Sequence, residues 1–378
     1  MGLTMLESGQ TPRINIEVPA QPDGSYTSEQ LFADAKARSR YWLPHPPATN
    51  CPALRQFWRS LMTGITEYRQ VSKIPGPVFL TVGAPALRSY DGPRLDGASR
   101  HSNSPNWSGA SVRAVDCSSL GQIVASWVEP DIGRAGSHTD SDEFRSSVWI
   151  GLNGHAAYLD AALPQIGTMQ RILKRTPAAN WTKEHWVWFE WWAIYKGQII
   201  PASLLPIYIN LDVHPGDTVW CSVEWVPGGL VSSAPVVARM FVCVETTFGG
   251  PRRKTLILPF LYEPPTLDGV QVRPMGSVAN WIAELPTNTD PAKPFLMPEF
   301  IDTTTHLNAP VQFEDCAAGV ATAPGEPIVS ERTLEIARQI DMVTGRYEDR
   351  GAIARVATPL WPRTSDSAFQ IRVDGNPA

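Results

Sequence analysis

The chain has 378 residues, 43% apolar and 18% charged, which suits a packed core and excludes global disorder. A net charge of −5 without a Lys/Arg-rich stripe argues against nucleic acid as a partner. No apolar run reaches the ~18 residues of a membrane span, and MGLTMLESGQTPRINIEV lacks a basic stretch leading into an apolar one. The expectation is a protein with no membrane partner and, by default, a cytoplasmic location.

Pro (35) and Gly (28) are frequent enough to favour turns and short strands over helical bundles. Residues 1–103 read as an extension with Pro-rich joints at 42–52 and 74–79. Within it Leu54, Phe57, Trp58, Leu61, Met62, Ile65 and Tyr68 recur at helical spacing, predicting an amphipathic helix over 53–72 that lies on something larger. Asn50 and Pro52 suit its cap and first turn. The polar run 91–105 reads as a linker.

From Asn106 onward, short runs rich in Val, Ile, Trp and Tyr alternate with turn residues. Strands are predicted at 110–116, 121–129, 145–152, 164–173, 184–195, 206–213, 217–226, 235–248, 254–263, 277–284 and 310–314. That pattern predicts an all-β domain over 104–315, an antiparallel two-sheet β-sandwich or jelly roll, with short helical extensions at both ends. In the remainder, 316–378, Leu334, Ala337, Ile340 and Val343 after Ser330 predict a helix, and AFQIRV predicts a strand. The five Cys form no C-x-x-C pair, so zinc and redox motifs are not expected and buried free thiols are.

The common catalytic signatures are missing: no G-x-S-x-G, H-E-x-x-H, P-loop or G-x-G-x-x-G. Isolated histidines such as His185 and His214 read as structural. The stretch HWVWFEWW (185–192) places Glu190 on one strand face with Trp186, Trp188 and Trp192. A carboxyl among indoles needs a hydrogen-bond partner.

Several short stretches follow one another in order: NWSGA (106–110), ASWVEP (125–130), SSVWIGLNG (146–154), LPQIGTM (163–169), VWFEWW (187–192), HPGDTVWCSV (214–223) and SVANWIAEL (277–285). This order resembles the glutamic peptidases, or eqolisins, across about 104–315. The resemblance implies a concanavalin A-like sandwich and a polypeptide substrate, with no metal or cofactor. It carries the catalytic glutamine onto Gln165 and the catalytic glutamate onto Glu284, and it lines the cleft with Trp107, Trp149, Asn153, Trp188 and Glu190. Peptide hydrolysis by such a pair is chemically reasonable. A carboxylate takes a proton from water, and a primary amide orients that water and donates to the oxyanion, with no covalent intermediate.

Three positions depart from the family pattern. Asn153, Met169 and Asn280 stand where it has carboxylates. Fewer neighbouring charges predict that Glu284 ionises at lower pH or that the acid optimum shifts. Two other readings stay open. One is a catalytically silent binding module for glycan or peptide, with Trp107, Trp149, Trp188 and Trp191 on its binding face. The other is a scaffold using the terminal extensions. The first 103 residues carry eleven Lys/Arg and eight Asp/Glu, net +3 against −8 for the rest, which suits a pro-segment or a permanent extension equally. Oligomeric state is not legible.

Overall fold

The computed structural model describes residues 16–20, 30, 34–44, 47–77, 101–115, 118–134, 143–153, 161–174, 180–195, 198–199, 205–228, 235–267, 270–272, 275–287, 295–344 and 354–374. Two helices precede the main sheets, α1 (Ala35–Arg40) and α2 (Pro52–Met62). The principal strands are β1 (Glu67–Arg69), β2 (Lys73–Ile74), β3 (His101–Ser104), β4 (Trp107–Arg113), β5 (Ser119–Val128) and β6 (Glu143–Leu152). They continue with β7 (Ala161–Lys174), β8 (Trp181–Tyr195), β9 (Ile207–Ile209), β10 (Thr218–Pro227), β11 (Val236–Thr246) and β12 (Arg253–Tyr262). The last are β13 (Val278–Glu284), β14 (Val311–Ala321), β15 (Arg338–Thr344), β16 (Ala354–Ser365) and β17 (Ala368–Val373).

Pairing makes two layers. The first runs β2–β9–β8–β7–β6–β13–β4–β15, antiparallel throughout. The second runs β12–β11–β10–β5–β14–β17, also antiparallel, with β1 added parallel to β12. At one edge β16 bridges β15 to β17, so the layers join there. The molecule is a β-sandwich, as the alternating strands predict.

The core fills the space between the layers, because strand alternation sends every second side chain inward. Val148, Ile150, Val187, Phe189, Trp191 and Trp281 come from the first sheet, and Val219, Val223, Trp225, Met240 and Phe260 from the second. Phe189 meets Phe260 at 4.7 Å and Trp191 meets Trp225 at 5.5 Å, tying the sheets together. Each such ring contributes about 1.5–3 kcal/mol by burial.

Helix α2 covers the outer face of the second sheet. Leu54, Phe57, Trp58 and Leu61 pack on Val124, Phe241, Cys243, Leu256 and Leu258. Its N-terminal Ala53 and Leu54 N–H groups donate to the Glu331 carboxylate at 3.0 and 2.9 Å. Its C-terminal carbonyls of Ser60 and Thr63 accept from the buried Lys254 Nζ at 2.6 and 3.1 Å. Both charges complement the helix dipole.

Four local expectations change. The helix stops at Met62 rather than 72, because Thr63 is extended and Gly64 takes φ +74°; Tyr68 belongs to β1. Its cap is Cys51, while Asn50 donates to the Val329 carbonyl instead. The helix predicted after Ser330 is only a 3-10 turn, Leu334–Ile336, followed by β15. Pairing with β4, β3 and β16 overrides the local spacing there. Most of the expected linker lies outside the described residues, but His101–Ser104 form β3. Among described residues Cys51, Cys221, Cys243 and Cys316 are buried free thiols, as expected; Cys117 lies outside them.

Candidate active site

The outer face of the first sheet collects nearly every residue that the sequence singles out. Register aligns them in three rows across the strands. One row runs Trp107, Glu284, Ser147, Met169, Trp186. The next runs Ile340, Gly109, Ile282, Trp149, Gly167, Trp188, Tyr208, Ile74. The third runs Ser111, Asn280, Gly151, Gln165, Glu190. Glycines flank the bulky members because neighbouring chains come too close for a side chain. A Cβ at Gly167 would lie 2.1 Å from the Val148 carbonyl oxygen and 2.6 Å from Trp149 Cβ.

Gln165 and Glu190 are direct cross-strand partners. Gln165 Nε2 donates to Glu190 Oε2 at 2.9 Å, and both residues are 1% exposed. Gln165 Oε1 is buried without a partner. Met169, where the family pattern has a carboxylate, instead accepts a weak contact from the Tyr208 hydroxyl at 3.5 Å. Support for Gln165 therefore comes from Glu190.

Glu284 is held separately. Trp149 Nε1 donates to its Oε2 at 2.8 Å, and Asn106 Nδ2 donates to its Oε1 at 3.1 Å. Trp107 stacks edge-on against Trp149 at 5.0 Å. Its Nε1 falls short of hydrogen-bond geometry, though it still favours the carboxylate electrostatically. Burial outweighs these donors and pushes the Glu284 carboxyl up to about 8. This reverses the expected shift to lower pH: desolvation, which sequence does not reveal, dominates the loss of neighbouring charges. Asn106 was not singled out for this role; its only signal is its place at the start of NWSGA.

Gln165 and Glu284 share the face but not a row. They are two strands apart and four residues offset, roughly 16 Å between Cα positions. Asn280 is the β13 residue in line with Gln165, across Gly151. Asn280 Nδ2 donates to the Asn153 carbonyl at 2.5 Å, while Asn153 Oδ1 accepts from the Ser277 N–H at 2.8 Å. Asn153 holds this turn with φ +71°, a region asparagine tolerates better than most residues.

Trp188 lies on this face with Trp149, Leu163, Trp192 and Phe295. Trp191 does not. It points into the sandwich core against Trp225 and Tyr262, since strand period two separates it from Trp188 and Trp192. The face is covered: Trp107, Trp149 and Trp188 are all at most 1% exposed. Residues 73–77 lie alongside, with the Tyr208 hydroxyl donating to the Pro77 carbonyl at 2.8 Å and Gly76 against the Tyr208 ring.

His185 faces the other way. Its Nδ1 is 2.7 Å from Glu129 Oε1, which also accepts from Gln170 Nε2 at 2.8 Å. His214 stacks on Phe248. Among the described residues no three His, Cys, Asp or Glu gather as a metal site.

These features define the class: an antiparallel β-sandwich whose outer sheet face buries amides, carboxyls and indoles in register. Residues 105–227 match the family model described as the Peptidase A4 family, the glutamic peptidases. The match supports a peptidase function in general. It includes Gln165 and Glu190 and ends before Glu284. No curated protein matches the chain.

Proposed function

We propose that the protein is a glutamic-type endopeptidase. Gln165 orients the attacking water and donates an N–H to the developing oxyanion; a carboxyl of the same face moves the proton. The carrying observation is the match over 105–227 together with a buried glutamine bonded to a buried carboxyl on one sheet face. Glu284 is the carboxyl that the family pattern points to. With its pKa near 8 it is neutral in mild acid, so there it is a proton donor rather than a base. Trp107, Trp149, Asn153, Trp188 and Glu190 shape the cleft.

Burial of the face means that substrate entry requires its cover to move. The test is cleavage of an unfolded protein at pH 3–6 by the full chain, with pepstatin present. Pepstatin-resistant cleavage that Gln165→Ala abolishes is expected. Cleavage that survives Gln165→Ala sinks the mechanism, and no cleavage at all sinks the function. A pro-segment role for the first 103 residues is tested in the same incubation by N-terminal sequencing. A cut between about 90 and 106 supports it, and an intact chain that already cleaves substrate removes it.

A further inference from the structure

We propose that the open edge of β8 at Lys183 and His185 docks an extended polypeptide segment, with one apolar side chain of that segment seated in the adjoining pocket. Resting on the peptidase reading, the segment is a flank of the substrate. β8 runs past its neighbour. Its residues Trp181–Trp186 pair with β7 on one side, while β9 pairs only with Val187, Trp188 and Phe189 on the other. β9 leaves because the chain turns sharply there, the Leu211 N–H donating to the Ile209 carbonyl at 2.8 Å.

Strand geometry says which groups that edge presents. The Asn210 N–H donates to the Ser72 carbonyl at 2.7 Å, so even residues here address β2 and the odd ones, Ile207 and Ile209, address β8. Their partners Phe189 and Val187 therefore turn backbone groups toward β9, and alternation turns those of Lys183 and His185 to the same side. Among the described residues no backbone group of 210–215 bonds to them. The His185 side chain is 5% exposed while the residue as a whole is half-buried, so its exposed part is backbone. Open N–H and C=O groups along an edge are a template for another strand.

The surroundings hold this edge in place. His185 Nδ1 is fixed on Glu129 Oε1 at 2.7 Å. Lys183 Nζ bonds both Asp131 carboxylate oxygens at 2.8 and 3.0 Å, so this lysine is tied down rather than free to guard the edge. Beside it opens a pocket of about 370 Å³ with apolar walls of Ile74, Trp186, Leu211, Val213 and Pro215, and with the exposed Asp212 also lining it. That volume accommodates one aromatic or branched side chain. Trp186 belongs to the row that holds Met169 and Glu284, so the pocket adjoins the candidate active-site face. A strand edge beside one apolar pocket recognises polypeptide, by its main chain and by one alternate side chain.

The test uses the full chain and a capped peptide that alternates threonine with valine around one phenylalanine. At a peptide concentration about ten times its Kd, amide exchange at Lys183 and His185 is expected to slow about tenfold. The Glu184 and Trp186 amides, which face β7, should keep their rates. The same peptide N-methylated at alternate residues should protect neither. In kinetics, Asp212→Trp, which fills the pocket mouth, should raise KM for unfolded casein by about fivefold with kcat unchanged, the mark of lost uniform binding. Unchanged exchange with millimolar peptide overturns the proposal. So does equal protection by the N-methylated peptide, or a folded Asp212→Trp chain with wild-type KM. If Asp212→Trp fails to fold, the exchange measurement decides alone. Protection in a chain that cleaves nothing supports the docking edge and removes only the peptidase reading. Cleavage without protection removes only the docking edge.

Discussion

Trp149 and Glu284 are joined across β6 and β13 by an indole N–H donating to a fully buried carboxyl at 2.8 Å. The bond lowers the carboxyl's proton affinity, but burial acts more strongly and leaves the pKa at about 8. The folded protein therefore holds a neutral glutamic acid across a range where the unfolded chain would ionise it.

That difference sets a direction for stability against pH. Between the ordinary value of 4.5 and about 8, the unfolded state binds fewer protons than the folded state at this site. Stability from this group is full below 4.5 and falls as pH rises toward 8, by a few kcal/mol at most. Urea unfolding of wild type and Glu284→Gln at pH 5 and pH 8 measures it. The wild type should lose more stability over that interval than the variant; parallel losses would show that Glu284 is not the source.

Gly167→Ala tests how closely the rows are packed. The new methyl would meet the Val148 carbonyl and the Trp149 backbone, neither of which can rotate away. A loss of about 1–3 kcal/mol is expected, with a change in tryptophan fluorescence as Trp149 is displaced. A variant with wild-type stability and spectrum would mean that β6 and β7 lie further apart.

Helix α2 is clamped at both ends by charges from distant segments, Glu331 and Lys254. Removing the acid with Glu331→Ala should cost about 1–2 kcal/mol. Amide hydrogen exchange should speed up first at Ala53 and Leu54. Unchanged exchange there would show that the cap contributes nothing.

The first segment is held by apolar packing of Phe57, Trp58 and Leu61 as well as by charge. Cutting the chain at a specific protease site inserted between residues 90 and 100 should leave two pieces that co-elute on gel filtration at pH 7 and at pH 4. Hydrophobic contact does not depend on ionised carboxylates. Release of the N-terminal piece at pH 4 alone would show that electrostatics dominate instead.

Alternation and turn residues in the sequence were enough to place most strands, the sandwich, and which residues share a face with Gln165, Glu190 or Glu284 within each strand, because period two is a local property; that the three faces are one came from the sheet. The motif order was enough to point to a glutamic peptidase. Only the tertiary structure decided which of these residues meet. Register between β6, β7, β8 and β13 is set by pairing of distant segments, and it puts Glu190, rather than Glu284, against Gln165. The same cause explains the misread C-terminal helix: Leu334, Ala337 and Ile340 are spaced for a helix, yet Ile340 is drawn into a strand between Gly109 and Ser102. Burial, too, is collective, and it raised the Glu284 carboxyl where local charge counting lowered it.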